Sequence, residues 1–148
     1  MAERIKQGYE KYYDNIGNIG YGASGSIYKV REKKTYEIRA IKVINLDPIR
    51  KYYQDMYEEE EIENQLKLYV DGLIEKYNNM KICSENNNNS VKCYEYFNNE
   101  KYFAIVMELC DKDLSKLLLE KKKFNIEEIS EIMKQLYYTF YIMKEKNI

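Results

Sequence analysis

Between residues 20 and 25 the chain reads Gly20-Tyr21-Gly22-Ala23-Ser24-Gly25, and it runs on at once into the β-branched and aromatic stretch Ser26-Ile27-Tyr28-Lys29-Val30. A lone lysine follows in Ala40-Ile41-Lys42. Glycines at these spacings let backbone N–H groups approach phosphate oxygens with no Cβ in the way, and a lysine on a later strand brings a compact positive charge to the same oxygens. The pattern reads as a clamp for nucleotide phosphates. Glycine clusters of this spacing also mark ordinary turns and open the helix of dinucleotide-binding units, so context decides between them. In the dinucleotide unit a helix follows the glycines and an acidic residue comes about 20 positions later. Here a strand-like run follows, and Lys42 stands 22 residues after Gly20, which favours a hairpin lying over the phosphates.

The pattern predicts strands over Tyr12 to Tyr21 and Ser26 to Arg31, paired around the glycine turn, and a third over Tyr36 to Ile44. A strand has a period of two, so Ala40 and Lys42 fall on one face, with Ile27 of the preceding strand beside them. The small methyl of Ala40 leaves room there for a planar base. A surface lysine on an edge strand is the plainer reading of Lys42.

Asp47 and Pro48 suit an N-cap and first-turn pair. Beyond them Ile62, Leu66, Tyr69, Val70, Leu73, Ile74, Tyr77 and Met80 recur at helical steps, with Gly72 as the place where one helix would kink or split. A hairpin over Val91 to Phe97 and Tyr102 to Glu108 is predicted next, turned by Asn98-Asn99-Glu100-Lys101. Its second strand is nearly continuous in apolar residues, as the centre of a covered sheet would be. Asp113 stands as N-cap to Leu114-Ser115-Lys116-Leu117-Leu118, and Asn125 with Glu128 reads as a capping pair for a last helix. The stripe of that helix, Ile129, Ile132, Met133, Leu136, Phe140 and Met143, has little in this chain to bury against.

Composition bounds the rest. The chain has 148 residues, 45% hydrophobic and 33% charged, enough for one ordinary core. A formal net charge of −1 argues against a general nucleic-acid or anionic-membrane binder, because both depend on a basic surplus. No stretch approaches the length of a membrane span, and Met1-Ala2-Glu3-Arg4-Ile5-Lys6-Gln7 lacks the apolar core of a signal peptide, so a cytoplasmic or nuclear location is expected. Cys83, Cys93 and Cys110 have no metal-ligand spacing; no metal site is expected, and they read as small hydrophobes in a reducing compartment. The tract Asn86-Asn87-Asn88-Asn89 reads as a solvated loop.

The chain resembles the protein kinase family in three places: Gly20, Gly22, Gly25 and Ile27 as the glycine loop, Ala40-Ile41-Lys42 as the lysine strand, and Ile105-Val106-Met107-Glu108-Leu109-Cys110 as the strand entering the interlobe hinge. The order and spacing agree as well. The resemblance implies an α+β, protein-kinase-like small lobe, an antiparallel sheet plus a long αC-type helix, over about residues 9–108. A hinge over 109–113 and the first two helices of the large lobe over 114–148 complete it. The family's His-Arg-Asp loop and Asp-Phe-Gly segment have no counterpart here, and the chain contains no histidine. The expectation is a partial kinase domain, ending before the catalytic loop.

By the same resemblance ATP is the ligand, held by Gly20, Tyr21, Gly22, Ala23, Ser24, Gly25, Ile27, Ala40 and Lys42. Met107 takes the gatekeeper position, Glu108 and Cys110 offer main-chain groups to the adenine edge, and Asp113 meets the ribose. Magnesium would bind only with the missing C-terminal half present. Two acids compete as the partner of Lys42. Counting forward from Lys42 reaches the acidic run Glu58 to Glu61, whereas counting back from Val91 reaches Glu75, the choice favoured here. The segments Glu61 to Leu68 and Glu75 to Ile82 resemble each other at an offset of 14, which returns to nearly the same helix face at about 100° per residue, so Glu61 is the alternative partner; the acidic run on its own is a solvated face.

Two functional readings follow. One is the ATP-binding segment of a kinase, serine/threonine type by base rate, inactive by itself, with a protein substrate or regulator that the residues do not identify. The other is a non-catalytic, pseudokinase-like or scaffold module that binds nucleotide or a protein partner.

Overall fold

A computed structural model describes residues 7–22, 24–85 and 87–148. Ala23 of the glycine turn, Asn86 of the asparagine tract and the N-terminal residues 1–6 lie outside the described residues. After a 3-10 turn at Tyr9–Lys11 the chain forms β1 (Tyr13–Gly22), β2 (Gly25–Glu32) and β3 (Ile38–Asn45). Helices α1 (Asp47–Gln54) and α2 (Glu59–Ser84) follow, then β4 (Cys93–Asn98) and β5 (Tyr102–Met107). Two helices, α3 (Leu114–Lys121) and α4 (Ile126–Glu145), end the order.

The strands form one antiparallel sheet in the order β1-β2-β3-β5-β4. The expected strands are all present, shifted by a residue or two; Tyr36 sits before β3 at φ 63, in the turn from β2. The apolar run of β5 does lie inside the sheet, and its residues serve two cores in alternation. Phe103 and Ile105 face one side with Ile44, Leu46, Leu66, Val70, Leu73, Tyr77 and Cys93. Ala104 and Val106 face the other with Tyr9, Tyr13, Val30, Ile41 and Phe97. Helix α2 covers the first face. The second is closed by the tyrosines of the entering chain: Tyr12 stacks on Phe97 at 5.7 Å and Tyr13 meets its edge at 6.2 Å between ring centroids.

Two local expectations are corrected. Asp47 is not the cap of α1; it is the first helical residue, with Leu46 at the N-cap position, and the Asn45 side chain accepts from the Asp47 N–H at 3.0 Å. Nor does Gly72 split the long helix, which runs unbroken from Glu59 to Ser84. Sheet burial along Ile62, Leu66, Val70, Leu73 and Tyr77 outweighs the cost of one glycine, about 1 kcal/mol against alanine.

Asp113 and Asn125 are caps as expected. Asp113 accepts from the Lys116 N–H at 2.7 Å, and Asn125 and Glu128 form a reciprocal capping box at 2.8 and 3.0 Å. Helix α4 has no buried residue, and Ile129, Met133, Leu136 and Phe140 are exposed.

Candidate functional site

Strand register sets the site. Lys42 pairs with Ile27 on β2 and with Ile105 on β5, while Ala40 pairs with Lys29 and Met107. Paired residues share a face, so Ile27, Ala40, Lys42, Ile105 and Met107 stand together on the side of the sheet that α2 covers. Ile105 is buried in the α2 core, Ala40 is 5% exposed, and Lys42 and Met107 are half-buried at the edge of that cover.

The glycine loop lies down on β3. Gly25 has φ +137, and a Cβ there would come within 2.2 Å of the Val43 carbonyl oxygen, so only glycine fits. Beside it the Lys42 ammonium donates to Ser24 Oγ at 2.7 Å. Gly20 and Gly22 differ from Gly25. A Cβ on either would find ordinary contact distances, 4.0 Å to Ile27 and 3.8 Å to the Gly25 carbonyl. Tyr21 between them is 82% exposed.

At the end of β5 the Glu108 N–H is taken by the Lys92 carbonyl at 2.9 Å. Among the described residues no backbone group uses the Glu108 carbonyl or the Cys110 N–H. The exposed Cys110 thiol is pushed above its ordinary pKa by desolvation and then by the neighbouring carboxylates of Glu108 and Asp111. Asp113 follows β5 and caps α3 through one carboxylate oxygen.

Glu75 does not meet Lys42. It is exposed, and among the described residues no carboxylate lies within ion-pair distance of the lysine. The physical reason is helix phase. Leu66, Val70, Leu73 and Tyr77 define the buried stripe, and at 3.6 residues per turn Glu75 falls roughly 180° away from its centre. Glu61 is exposed too, well off the stripe, and accepts from the Gln65 amide at 3.2 Å.

This arrangement is that of a protein kinase small lobe, and comparison with known sequences agrees. The family model described as protein kinase domain matches residues 13–148. Calcium-dependent protein kinase 5 of Plasmodium falciparum (isolate 3D7) is 29% identical over 131 residues, 88% of this chain and 20% of that protein. Aurora kinase of Saccharomyces cerevisiae is 30% identical over 131 residues, 88% of this chain and 31% of that protein. Serine/threonine-protein kinase 1 of Arabidopsis thaliana is 33% identical over 98 residues, 66% of this chain and 9% of that protein. The chain belongs to the protein kinase family, and it spans less than a third of the length of each of these relatives.

Proposed function

We propose that these residues form the ATP-binding end of a protein kinase that transfers the γ-phosphoryl group to a protein serine or threonine hydroxyl. The shared face of Ile27, Ala40, Lys42 and Met107, roofed by the glycine loop, carries this reading. Gly20 and Gly22 add to it. Neither is required by φ or by a close protein neighbour among the described residues, and both leave the backbone open to the approach of a ligand's phosphates. The Glu108 carbonyl and Cys110 N–H, without backbone partners among the described residues, fit the hydrogen-bonding edge of adenine, with Met107 beside it. Serine or threonine as acceptor rests on the naming of the Arabidopsis thaliana relative as a serine/threonine-protein kinase.

Magnesium fits this site only in part. The residues present offer Lys42 and loop N–H groups to phosphate oxygens, but among the described residues no acidic cluster is arranged to hold a metal ion. In the family the metal ligands and the base that orients the acceptor hydroxyl belong to segments these 148 residues do not contain. By themselves they bind ATP weakly and do not transfer phosphate. Loss of apolar cover on one adenine face, at ~25 cal/mol per Å², together with loss of the metal bridge accounts for a deficit of several kcal/mol.

Calorimetric titration with magnesium-ATP and a radiolabelled transfer assay test this. Weak binding abolished by Lys42→Ala, with no transfer, is expected; low-micromolar affinity or Lys42-dependent transfer by these residues alone would contradict it. The second reading, a non-catalytic module, is favoured by one observation, the absence of an acidic partner for Lys42 among the described residues. It predicts that the full-length protein binds nucleotide or a partner without phosphorylating protein.

A further inference from the structure

We infer that Ser24 is a self-ligand of Lys42, a hydroxyl gate that occupies the lysine until a phosphate displaces it. The inference rests on the nucleotide-site reading and adds a competitor to it. Three observations carry it. Lys42 as a residue is partly buried on the face covered by α2, where the α2 residues turned to the sheet, Leu66, Val70, Leu73 and Tyr77, are apolar and offer its ammonium no acceptor. The acceptor the ammonium does have is the Ser24 hydroxyl, at 2.7 Å in a solvent-exposed hydrogen bond. The loop is also held in that position by a separate contact, since Gly25 is pressed so closely against the Val43 carbonyl that no side chain could stand there. Gly25 adjoins Ser24 and Val43 adjoins Lys42, so the tip of the loop and the lysine are fixed together from both sides.

Ser24 Oγ thus sits within hydrogen-bonding distance of the ammonium, where a phosphate oxygen would bind. A hydroxyl is a neutral acceptor. A phosphate oxygen is charged, and charge-assisted bonds are roughly twice as strong as neutral ones, so phosphate wins the exchange but must break the existing bond to do so. The gate lowers affinity for phosphate-bearing ligands and leaves recognition of the base alone.

The test compares the native chain, Ser24→Ala and Ser24→Thr by NMR titration with ATP, inorganic tripolyphosphate and adenosine, with circular dichroism confirming equal folding. Ser24→Ala should bind ATP and tripolyphosphate about three- to tenfold more tightly, with adenosine unchanged, and Ser24→Thr, which keeps the hydroxyl, should bind like the native chain. ATP affinity equal in the native chain and Ser24→Ala, or weaker in Ser24→Ala, would overturn the gate while leaving the nucleotide site standing. Failure of ATP and adenosine to bind any of the three would overturn both readings together.

Discussion

The Asn87 amide donates to Thr139 Oγ1 at 3.3 Å, joining the connection after α2 to the middle of α4 across 52 residues of sequence. Asn87 is 1% exposed, and its other bonds are local: the amide also donates to Ser90 Oγ at 3.0 Å, and its carbonyl oxygen accepts from the Asn89 N–H at 3.0 Å. Helix α4 buries no residue of its own, and this link, with the Thr139 hydroxyl donating to the Asn89 carbonyl at 3.5 Å, ties it to the connection after α2. Asn87→Ala removes all three bonds, while the Thr139 hydroxyl keeps its bonds to the Gln135 and Asn89 carbonyls. At ~0.5–1.5 kcal/mol net per bond, it should destabilise the fold by about 1.5–4.5 kcal/mol. Amide exchange in α4 should rise more than in β5, and an unchanged α4 would show that the link holds nothing.

Gly72 offers a change of the opposite sign. It lies inside α2, and a Cβ there meets nothing within 4 Å. Alanine loses less backbone freedom on folding and prefers the helix by about 0.8–1 kcal/mol. Gly72→Ala should therefore raise the midpoint of chemical denaturation without altering its slope. A lowered midpoint would reveal a requirement for glycine in a region this structure leaves open.

Much of this architecture was legible because its signals are local. Gly20 to Gly25 dictated a tight connection, alternation placed Ala40 and Lys42 on one face, and the capping pair Asn125 and Glu128 needs only a spacing of three. What escaped depended on distant parts of the chain. The solvated reading of the asparagine tract missed buried Asn87, because its partner Thr139 is far off in sequence and Asn is a polar residue whatever its surroundings. Gly72 looked like a break because propensity is visible in the sequence and the sheet that overrides it is not. Tyrosines 9, 12 and 13 likewise gave no sign that they close the back of the sheet, since amphipathic rings suit either a surface or a core.

The tyrosine face makes the fold sensitive to alkali. Tyr102 hydroxyl donates to Glu10 and accepts from the Tyr9 N–H at 3.1 Å, holding the 3-10 turn against the sheet. Burial first, and then the hydrogen bond to Glu10, pushes the Tyr102 phenol well above its ordinary value of 10.0; burial also raises Tyr9 and Tyr77, and raises the Cys93 thiol to about 11. For each group the folded state holds its proton at a pH where the unfolded chain has begun to release it. Their contribution is complete below the unfolded values and is lost as pH rises toward the folded ones. Stability should fall from about pH 9 upward, first through Cys93 and then through the tyrosines. Tyr102→Phe should flatten the upper part of that decline in a denaturation series from pH 8 to 11; an identical profile would remove Tyr102 from the account.

Glu75 and Lys42 give the last prediction, in which two energies can be set against each other. Turning α2 by half a revolution to bring Glu75 to the sheet would expose Leu66, Val70, Leu73 and Tyr77. Each such side chain contributes about 1.5–3 kcal/mol by burial, whereas a partly exposed ion pair contributes only ~0–1 kcal/mol. The helix phase is therefore fixed by its apolar stripe, and Glu75 stays in solvent with or without nucleotide. Glu75→Gln should change stability by no more than the ±0.5 kcal/mol usual for surface substitutions, leaving the denaturation midpoint nearly in place, and should change ATP affinity by no more than about twofold. Leu73→Ala, in contrast, should cost about 2–5 kcal/mol. A tenfold loss of ATP affinity in Glu75→Gln with unchanged stability would show that the acid reaches the lysine in the bound state, by a movement of α2 that this arrangement opposes.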